Sequence, residues 1–262
     1  MNIIVCIKQV PGTNKVEVDE NTGVLKREGV DSKMNPYDLY AIETALWIKN
    51  KLGGTVSALT MGPLQAEAVI HEAYMLGVDE GYLISDRKFA GADVLATAYT
   101  LFMGVKSIGD FDLIICGKQT TDGDTGQVGP ALAEYLDIPH VIWVKRIEEV
   151  NETNIVIEQD MTESSAVVKL PCPCLITVDK DIMEPRLPSY RKKLETKNKE
   201  VNILLFEDFA DQNESNYGLS GSATKVERIF PPESNTEKII IEGSGEQLAA
   251  QVYDILAAEK AI

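Results

Sequence analysis

The segment richest in chemistry is Cys116-Gly117-Lys118-Gln119-Thr120-Thr121-Asp122-Gly123-Asp124-Thr125-Gly126-Gln127-Val128-Gly129-Pro130. It leaves an apolar run of strand length, Asp112 to Cys116, and enters a stretch of helical periodicity, Gln127 to Leu136. Open α/β sheets bind ligands at such strand-to-helix junctions. Gly117, Gly123 and Gly126 let backbone approach a phosphate. Thr120, Thr121 and Thr125 supply hydroxyls, and the amides of a helix start favour an anion. A pyrophosphate cradle and a plain surface loop both satisfy this composition. The loop is not a Walker sequence, because Gln119 rather than Ser or Thr follows Lys118, and Gly123, Gly126 and Gly129 lack dinucleotide spacing. Asp122 and Asp124 are a candidate carboxylate pair for acid–base work, but their glycine-flanked setting offers no desolvation to split their pKa values. No serine stands in a nucleophile elbow with a histidine and an acid, so hydrolysis is disfavoured.

Three other segments are placed to converge on that loop: Cys6-Ile7-Lys8-Gln9-Val10-Pro11, Asn35-Pro36-Tyr37-Asp38 and Thr60-Met61-Gly62-Pro63. Each joins an apolar run to exposed backbone, as an adenine slot requires, and each also reads as a turn or a cap. Asn35 is expected to cap a helix whose first residue is Pro36. Asp93 and Thr97, four apart, should share one face of a helix from about Ala92 to Ser107, where helix capping and solvation are equally open uses. Lys8 and Arg146 are cations able to stabilise a reduced anionic ring, or equally solvated charges at strand ends.

These residues need a particular scaffold. Up to about residue 145 the periodicity alternates between short apolar runs and 3.6-residue stretches, the pattern of a parallel sheet with crossover helices. Ile3 to Ile7, Thr55 to Thr60, Gly81 to Ile84 and Asp112 to Cys116 read as strands, separated by a polar excursion over 17–33 and by helices from Pro36 and from Leu64 to Leu76. The expected class is α/β, doubly wound and mostly parallel. Val141 to Ile147, Asn154 to Gln159, Ala166 to Leu170 and Leu175 to Val178 are closely spaced β-branched runs, expected as antiparallel strands extending the sheet. Met183 to Glu200 carries six cations against three carboxylates and reads as an exposed basic loop. Val201 to Phe206 offers one more strand, 208–235 reads as a linker or extended arm, and Gly245 to Ala258 as a helix needing apolar surface to cover. The expected domains are a nucleotide-binding unit, 1–207, and an arm with its helix, 208–262.

A formal charge of -16 over 262 residues would repel a phosphate backbone or anionic lipid, which argues against nucleic acid as a partner. No secretory signal opens the sequence, and no apolar stretch approaches bilayer-spanning length. Cys6, Cys116, Cys172 and Cys174 lie in strand-like runs without redox or zinc spacing, so reduced thiols in a cytoplasm are expected. His71 and His140 stand far apart without a ligand cluster, so no protein metal site is expected.

Taken together the chain resembles the β subunit of electron transfer flavoproteins over nearly its whole length. The resemblance is carried by Val5-Cys6-Ile7-Lys8-Gln9-Val10-Pro11, Met34-Asn35-Pro36-Tyr37-Asp38, Met61-Gly62-Pro63, the Gly117 to Gln127 loop, Asp179, and Met183-Glu184-Pro185-Arg186 with the basic loop behind it. It implies a nucleotide-binding domain whose C-terminal arm embraces an α subunit carrying its own FAD. Conventional members hold AMP in the β subunit, whereas electron-bifurcating members hold a second FAD that takes a hydride from NADH. Here Asp122-Gly123-Asp124-Thr125-Gly126-Gln127-Val128-Gly129-Pro130 is similar to the bifurcating form. The resemblance then implies electron delivery to ferredoxin or flavodoxin and, through the α-subunit FAD, to a dehydrogenase for an acyl-CoA, an enoyl-CoA or a hydroxy acid such as lactate.

The nucleotide-binding residues it implies are Cys6, Lys8, Asn35, Pro36, Tyr37, Asp38, Met61, Gly62, Asp93, Thr97 and 117–127, with no acid–base catalyst. Leu187, Tyr190, Arg191, Lys192 and Lys193 are the implied partner-recognition residues, and Tyr190 replaces the leucine with which conventional carriers anchor their dehydrogenase. A universal-stress-like nucleotide sensor is the rival of another class. It would share the sheet and glycine loop but lack the basic segment and the arm.

Overall fold

The structure, a computed structural model, describes residues 1–12, 32–227 and 240–260. Part of the polar excursion over 17–33, and part of the stretch expected as linker, lie outside the described residues. Two compact units are present, Met1–Glu227 and Arg228–Ile262.

In the first unit, β1 (Asn2–Cys6) lies between two parallel neighbours, β4 (Thr55–Met61) and β6 (Leu113–Gly117). β5 (Glu80–Ile84) and β11 (Asn202–Leu204) continue the sheet beyond β4. Beyond β6 come β10 (Cys174–Val178), β7 (His140–Val150), β8 (Asn154–Asp160) and β9 (Ser165–Pro171). β8 and β9 pair in antiparallel fashion as expected, but the runs that form β10 and β7, expected as antiparallel, are parallel to β6 and to each other, because β10 is buried between β6 and β7 in the middle of the sheet. Side chains alternate across the sheet with period two. Ile3, Val5, Leu113 and Ile115 join one core with α1 (Pro36–Leu52) and α2 (Glu67–Leu76). Ile4, Ile114 and Cys116 join a second core with α3 (Val94–Ile108) and α4 (Val128–Leu136). This two-sided burial is what the uninterrupted apolar runs encode.

The chain leaves β1 through α1 toward β4, and reaches β6 on the other side of β1 through α3. The connections after β1 and β6 therefore diverge, which opens a crevice at the carboxyl edge of the sheet. A small antiparallel pair, β2 (Gln9–Pro11) and β3 (Ser32–Met34), stands at that edge and brings the Asn35 amide to the Lys8 carbonyl at 2.9 Å.

Two further expectations need correction. The 183–200 segment is not a free loop: it holds a short helix, α5 (Tyr190–Glu195), capped by Ser189. Arg186 clasps Glu43 of α1 through its backbone amide and two guanidinium nitrogens, and Lys199 reaches the Asp79 carbonyl. Residues 208–227 are not a linker either. Phe206, Phe209 and Tyr217 are buried in the second core, where all three rings meet Phe89 and Tyr217 also meets Tyr99, at centroid distances of 5.4–6.3 Å. Such contacts are long-range and leave no periodic trace. The compact unit accordingly runs twenty residues past the expected boundary at 207, to Glu227.

In the second unit, the helix Gly245–Ala258, here α7 after the short turn Gly218–Gly221 that is α6, begins with a capping box between Ser244 and Gln247 and buries none of its residues, so Val252, Tyr253, Ile255 and Leu256 are exposed. If the 208–227 segment is integral to the first unit, Tyr217→Ala should lower its unfolding free energy by about 3–5 kcal/mol in a urea titration. A change below about 1 kcal/mol would mean the segment merely rests on the surface.

Candidate functional site

The crevice is organised by Asn35, which stands at the expected N-cap position before Pro36. Its side chain makes no cap bond to α1. Fully buried, the amide nitrogen instead donates to Asp38 Oδ1 at 2.8 Å and to the Gln119 carbonyl at 3.0 Å, and its oxygen accepts the Thr121 amide at 3.2 Å. One side chain thus joins the start of α1 to the glycine loop. Asp38 completes the joint, its Oδ2 accepting the Lys8 amide at 2.7 Å.

Lys8 is an ion-paired cation rather than a solvated strand end, since Nζ lies 2.8 Å from both oxygens of Asp122. Asp122 is therefore a fixed tether: burial opposes its ionisation, but Lys8 and the Thr120 hydroxyl outweigh that and hold its carboxyl below the usual range. Asp124 has a left-handed φ of 52°, donates its amide to the Thr120 carbonyl and accepts the Gln119 side-chain amide. Gly126, at φ 63°, turns the chain beside the Lys118 carbonyl. Neither aspartate is set up for proton transfer.

At the other end of the loop, Lys118 donates to Asp179 Oδ2 at 2.6 Å, and the Lys118 amide donates to the Val178 carbonyl at 2.9 Å. The hydrogen bond to Asp179 raises the Lys118 pKa, and Lys118 in turn holds the Asp179 carboxyl down against its burial. Asp179, which the resemblance marks, is the partner of Lys118, a pairing that the spacing of the two residues does not signal. Residue-level reasoning missed Trp143, whose ring centre lies 5.3 Å from Lys118 Nζ.

Cys6 and Cys116 are register partners at the ends of β1 and β6. The hydrogen bond between the thiols, together with burial, keeps Cys116 well above the ordinary thiol range and protonated. Pro36 and Tyr37 open α1 beside Gly117, where a Cβ would stand 2.5 Å from Asp38 Oδ1 and 2.8 Å from Tyr37. Only glycine permits that approach. Met61 and Gly62 close β4, the Gly62 amide donating to the Ile84 carbonyl at 3.0 Å. Asp93 is the N-cap of α3, one of the uses its position left open, and its carbonyl accepts the Thr97 amide at 2.9 Å. Its oxygens accept from the Ala96 amide and from both the amide and hydroxyl of Thr224. Of the residues expected to recognise a partner, Leu187, Tyr190 and Arg191 are exposed on or beside α5, while Lys192 also approaches Gly77 at the end of α2.

The residues present fit a nucleotide. α4 begins at the end of the loop without a side-chain cap, leaving first-turn amides for a phosphate. Thr60 Oγ1, fully buried beside Met61, has no hydrogen-bond partner among the described residues, a condition a polar ligand or water relieves. Lys8 and Lys118 are both neutralised by carboxylates, so anion binding would draw on backbone dipoles. Among the described residues, no cluster of His, Cys, Asp or Glu is placed to hold a metal, and no helix is long and apolar enough to cross a membrane.

A doubly wound sheet with a tethered glycine loop at its switch point is an α/β architecture whose ligand crevice lies at that edge. Comparison with known proteins narrows the class, as the electron transfer flavoprotein domain matches residues 22–207. An electron transfer flavoprotein subunit beta of Thermoanaerobacterium thermosaccharolyticum is 44% identical over 240 residues, 91% of this chain and 90% of that one. That of Clostridium acetobutylicum is 40% identical over 259 residues, 99% of each chain. The caffeyl-CoA reductase-Etf complex subunit CarD of Acetobacterium woodii is 38% identical over 258 residues, 98% of this chain and 95% of that one. The chain belongs to the electron transfer flavoprotein family, among its β subunits.

Burial drives Asp38 up from its ordinary 3.8 to about 7, against hydrogen bonds from Asn35 and the Lys8 amide and the Lys8 charge, with Asp122 adding to the rise. Its native pKa thus exceeds its unfolded one. The resulting stabilisation is full below the unfolded value and is lost as pH rises through about 7. Between pH 5 and 8 the Tm of the wild type should therefore fall relative to that of Asp38→Asn, which has no such proton to lose. Parallel Tm curves would show that Asp38 does not titrate in this range.

Proposed function

We propose that this chain is the nucleotide-binding half of a cytoplasmic heterodimeric electron transfer flavoprotein, and that its nucleotide is FAD. The reading rests on the Gly117–Gln127 loop, held open at the switch point by Asn35 and Lys8, and on its Asp122-Gly123-Asp124-Thr125-Gly126-Gln127 sequence. FAD held there would accept a hydride from NADH and pass its two electrons singly, one to ferredoxin or flavodoxin and one through the α-subunit FAD to a partner dehydrogenase.

The chain's own residues bind and orient. Cys6, Lys8, Asn35 to Asp38, Met61 and Gly62 form one wall, and 117–127 with the uncapped start of α4 form the phosphate cradle. Asp93 and Thr97 border α4 from α3, where the Asp93 charge acts on Tyr135. Exposed Leu187, Tyr190 and Arg191, with Lys192 and Lys193, form the surface offered to the dehydrogenase. An acyl-CoA or enoyl-CoA dehydrogenase fits the name of the Acetobacterium relative, which belongs to a caffeyl-CoA reductase complex. The exposed apolar side of α7, on the arm, is proposed to cover the α subunit.

The second reading keeps the heterodimer but puts AMP in the cradle, making this subunit structural. Acid release and counting of nucleotide from the co-purified heterodimer separates the two. FAD bifurcation predicts two FAD and no AMP per heterodimer. One FAD and one AMP would overturn it in favour of a single-electron shuttle, and no nucleotide from this chain would remove the cradle's role.

A further inference from the structure

Strand β7 does not run evenly beside β10. His140 and Val141 pair with Leu175 and Ile176, but the next pairing is Val144 with Val178, so two residues of β7 stand opposite Thr177 alone. This is a β-bulge, a device that re-aims a side chain and is common beside active sites. The residue re-aimed is Trp143, whose φ of 58° puts a bulky side chain in the left-handed region. Bulky residues avoid that conformation unless the surroundings impose it.

The imposition is visible. The Trp143 amide donates to Thr177 Oγ1 at 3.0 Å, and the Asp179 amide donates to the Val144 carbonyl at 3.0 Å. Thr177 is itself buried, with its Cγ2 2.8 Å from where a Cβ on Gly129 of α4 would stand. The strained tryptophan is thus locked, through one threonine, to the first turn of the helix that ends the glycine loop. Its half-buried indole lies with Lys118 Nζ 5.3 Å from the ring centre, and Lys118 is the loop's first residue after Gly117. Among the described residues no aromatic ring stacks on Trp143, although the protein clusters most of its other rings in the second core.

We infer that Trp143 is a ligand-positioning residue: its indole, braced by Lys118, is a stacking wall for a planar heteroaromatic ring of the nucleotide bound at the glycine loop. The inference rests on the nucleotide reading above. Lys118 in its pair with Asp179 is occupied on its charged end, so it holds the ring by a cation–π contact rather than seeking a phosphate. Ring-on-ring stacking tolerates either an adenine or an isoalloxazine, since both offer a π face. The bulge fixes the angle of the wall relative to the cradle, because both are built on Thr177.

The test uses the heterodimer stripped of nucleotide and titrated calorimetrically with FAD, or with AMP if that is the nucleotide it carries. Trp143→Gly removes the ring while glycine is at ease at positive φ, so the bulge and the fold persist. Trp143→Phe keeps a ring. Trp143→Gly should bind about tenfold more weakly and Trp143→Phe within about threefold of wild type, while the Tm of the nucleotide-free Gly variant does not fall. Equal affinity in wild type and Trp143→Gly overturns the inference and leaves the nucleotide reading intact. An equal loss in Trp143→Phe and Trp143→Gly overturns it too, since a ring alone would then not suffice. A wild type that takes up neither nucleotide overturns both readings.

Discussion

The carboxyl edge of the sheet depends on one buried amide. Asn35 sits at the mouth of α1 with no access to solvent, and its two donor bonds and one accepted bond join Asp38, Gln119 and Thr121. A buried amide side chain is costly unless satisfied, and each lost partner would leave a desolvation penalty of about 1–3 kcal/mol. The glycine loop therefore has one position in which all of these groups are met. Lys8, just past β1, reinforces it through Asp38 and Asp122, and Lys118, just past β6, ties it to Val178 of β10 and to Asp179. A loop whose composition alone would leave it free is fixed at both ends and at its middle.

That arrangement sets the electrostatics of the site. The protein carries a formal charge of -16, yet its crevice is close to balanced: Lys8 and Lys118 each face a carboxylate, and Asp38, the most deeply buried acid there, titrates near 7 because burial outweighs its hydrogen bonds. Phosphate binding would then depend on backbone amides of the loop and of α4, which cannot be neutralised by a neighbouring side chain. A site of this kind holds its charge distribution fixed while a redox-active ligand changes its own, and electrostatic preorganisation of that sort is the protein's usual contribution to cofactor chemistry.

Much of this was legible in the sequence, for physical reasons that differ by element. The parallel strands announced themselves because both faces are buried, so Ile3, Ile4 and Val5 form an unbroken apolar run. The glycine loop was legible because a close approach such as Gly117 to Tyr37 and Asp38 admits no side chain. Asn35 was legible as the N-cap position before Pro36, but not the use of its side chain, since a cap and a long-range tether call for the same residue type before the same proline. Asp93 is the cap of α3, one of the two uses that its place before a helical stretch left open. Phe209 and Tyr217 were hidden because aromatic contacts to Phe89 and Tyr99 join segments over a hundred residues apart without any period. Trp143 was hidden for a related reason: a bulge is a property of two strands in register, and no single strand records it.

The measurement that bears most directly on the account is the nucleotide affinity of the heterodimer carrying Asn35→Ala. If the buried amide sets the loop, this substitution should weaken binding about tenfold or more, with Lys8, Lys118 and the glycines all intact, and should shift the Thr121 amide resonance. Unchanged affinity with an unmoved loop would contradict the claim, and would mean that the glycine loop holds its position without Asn35.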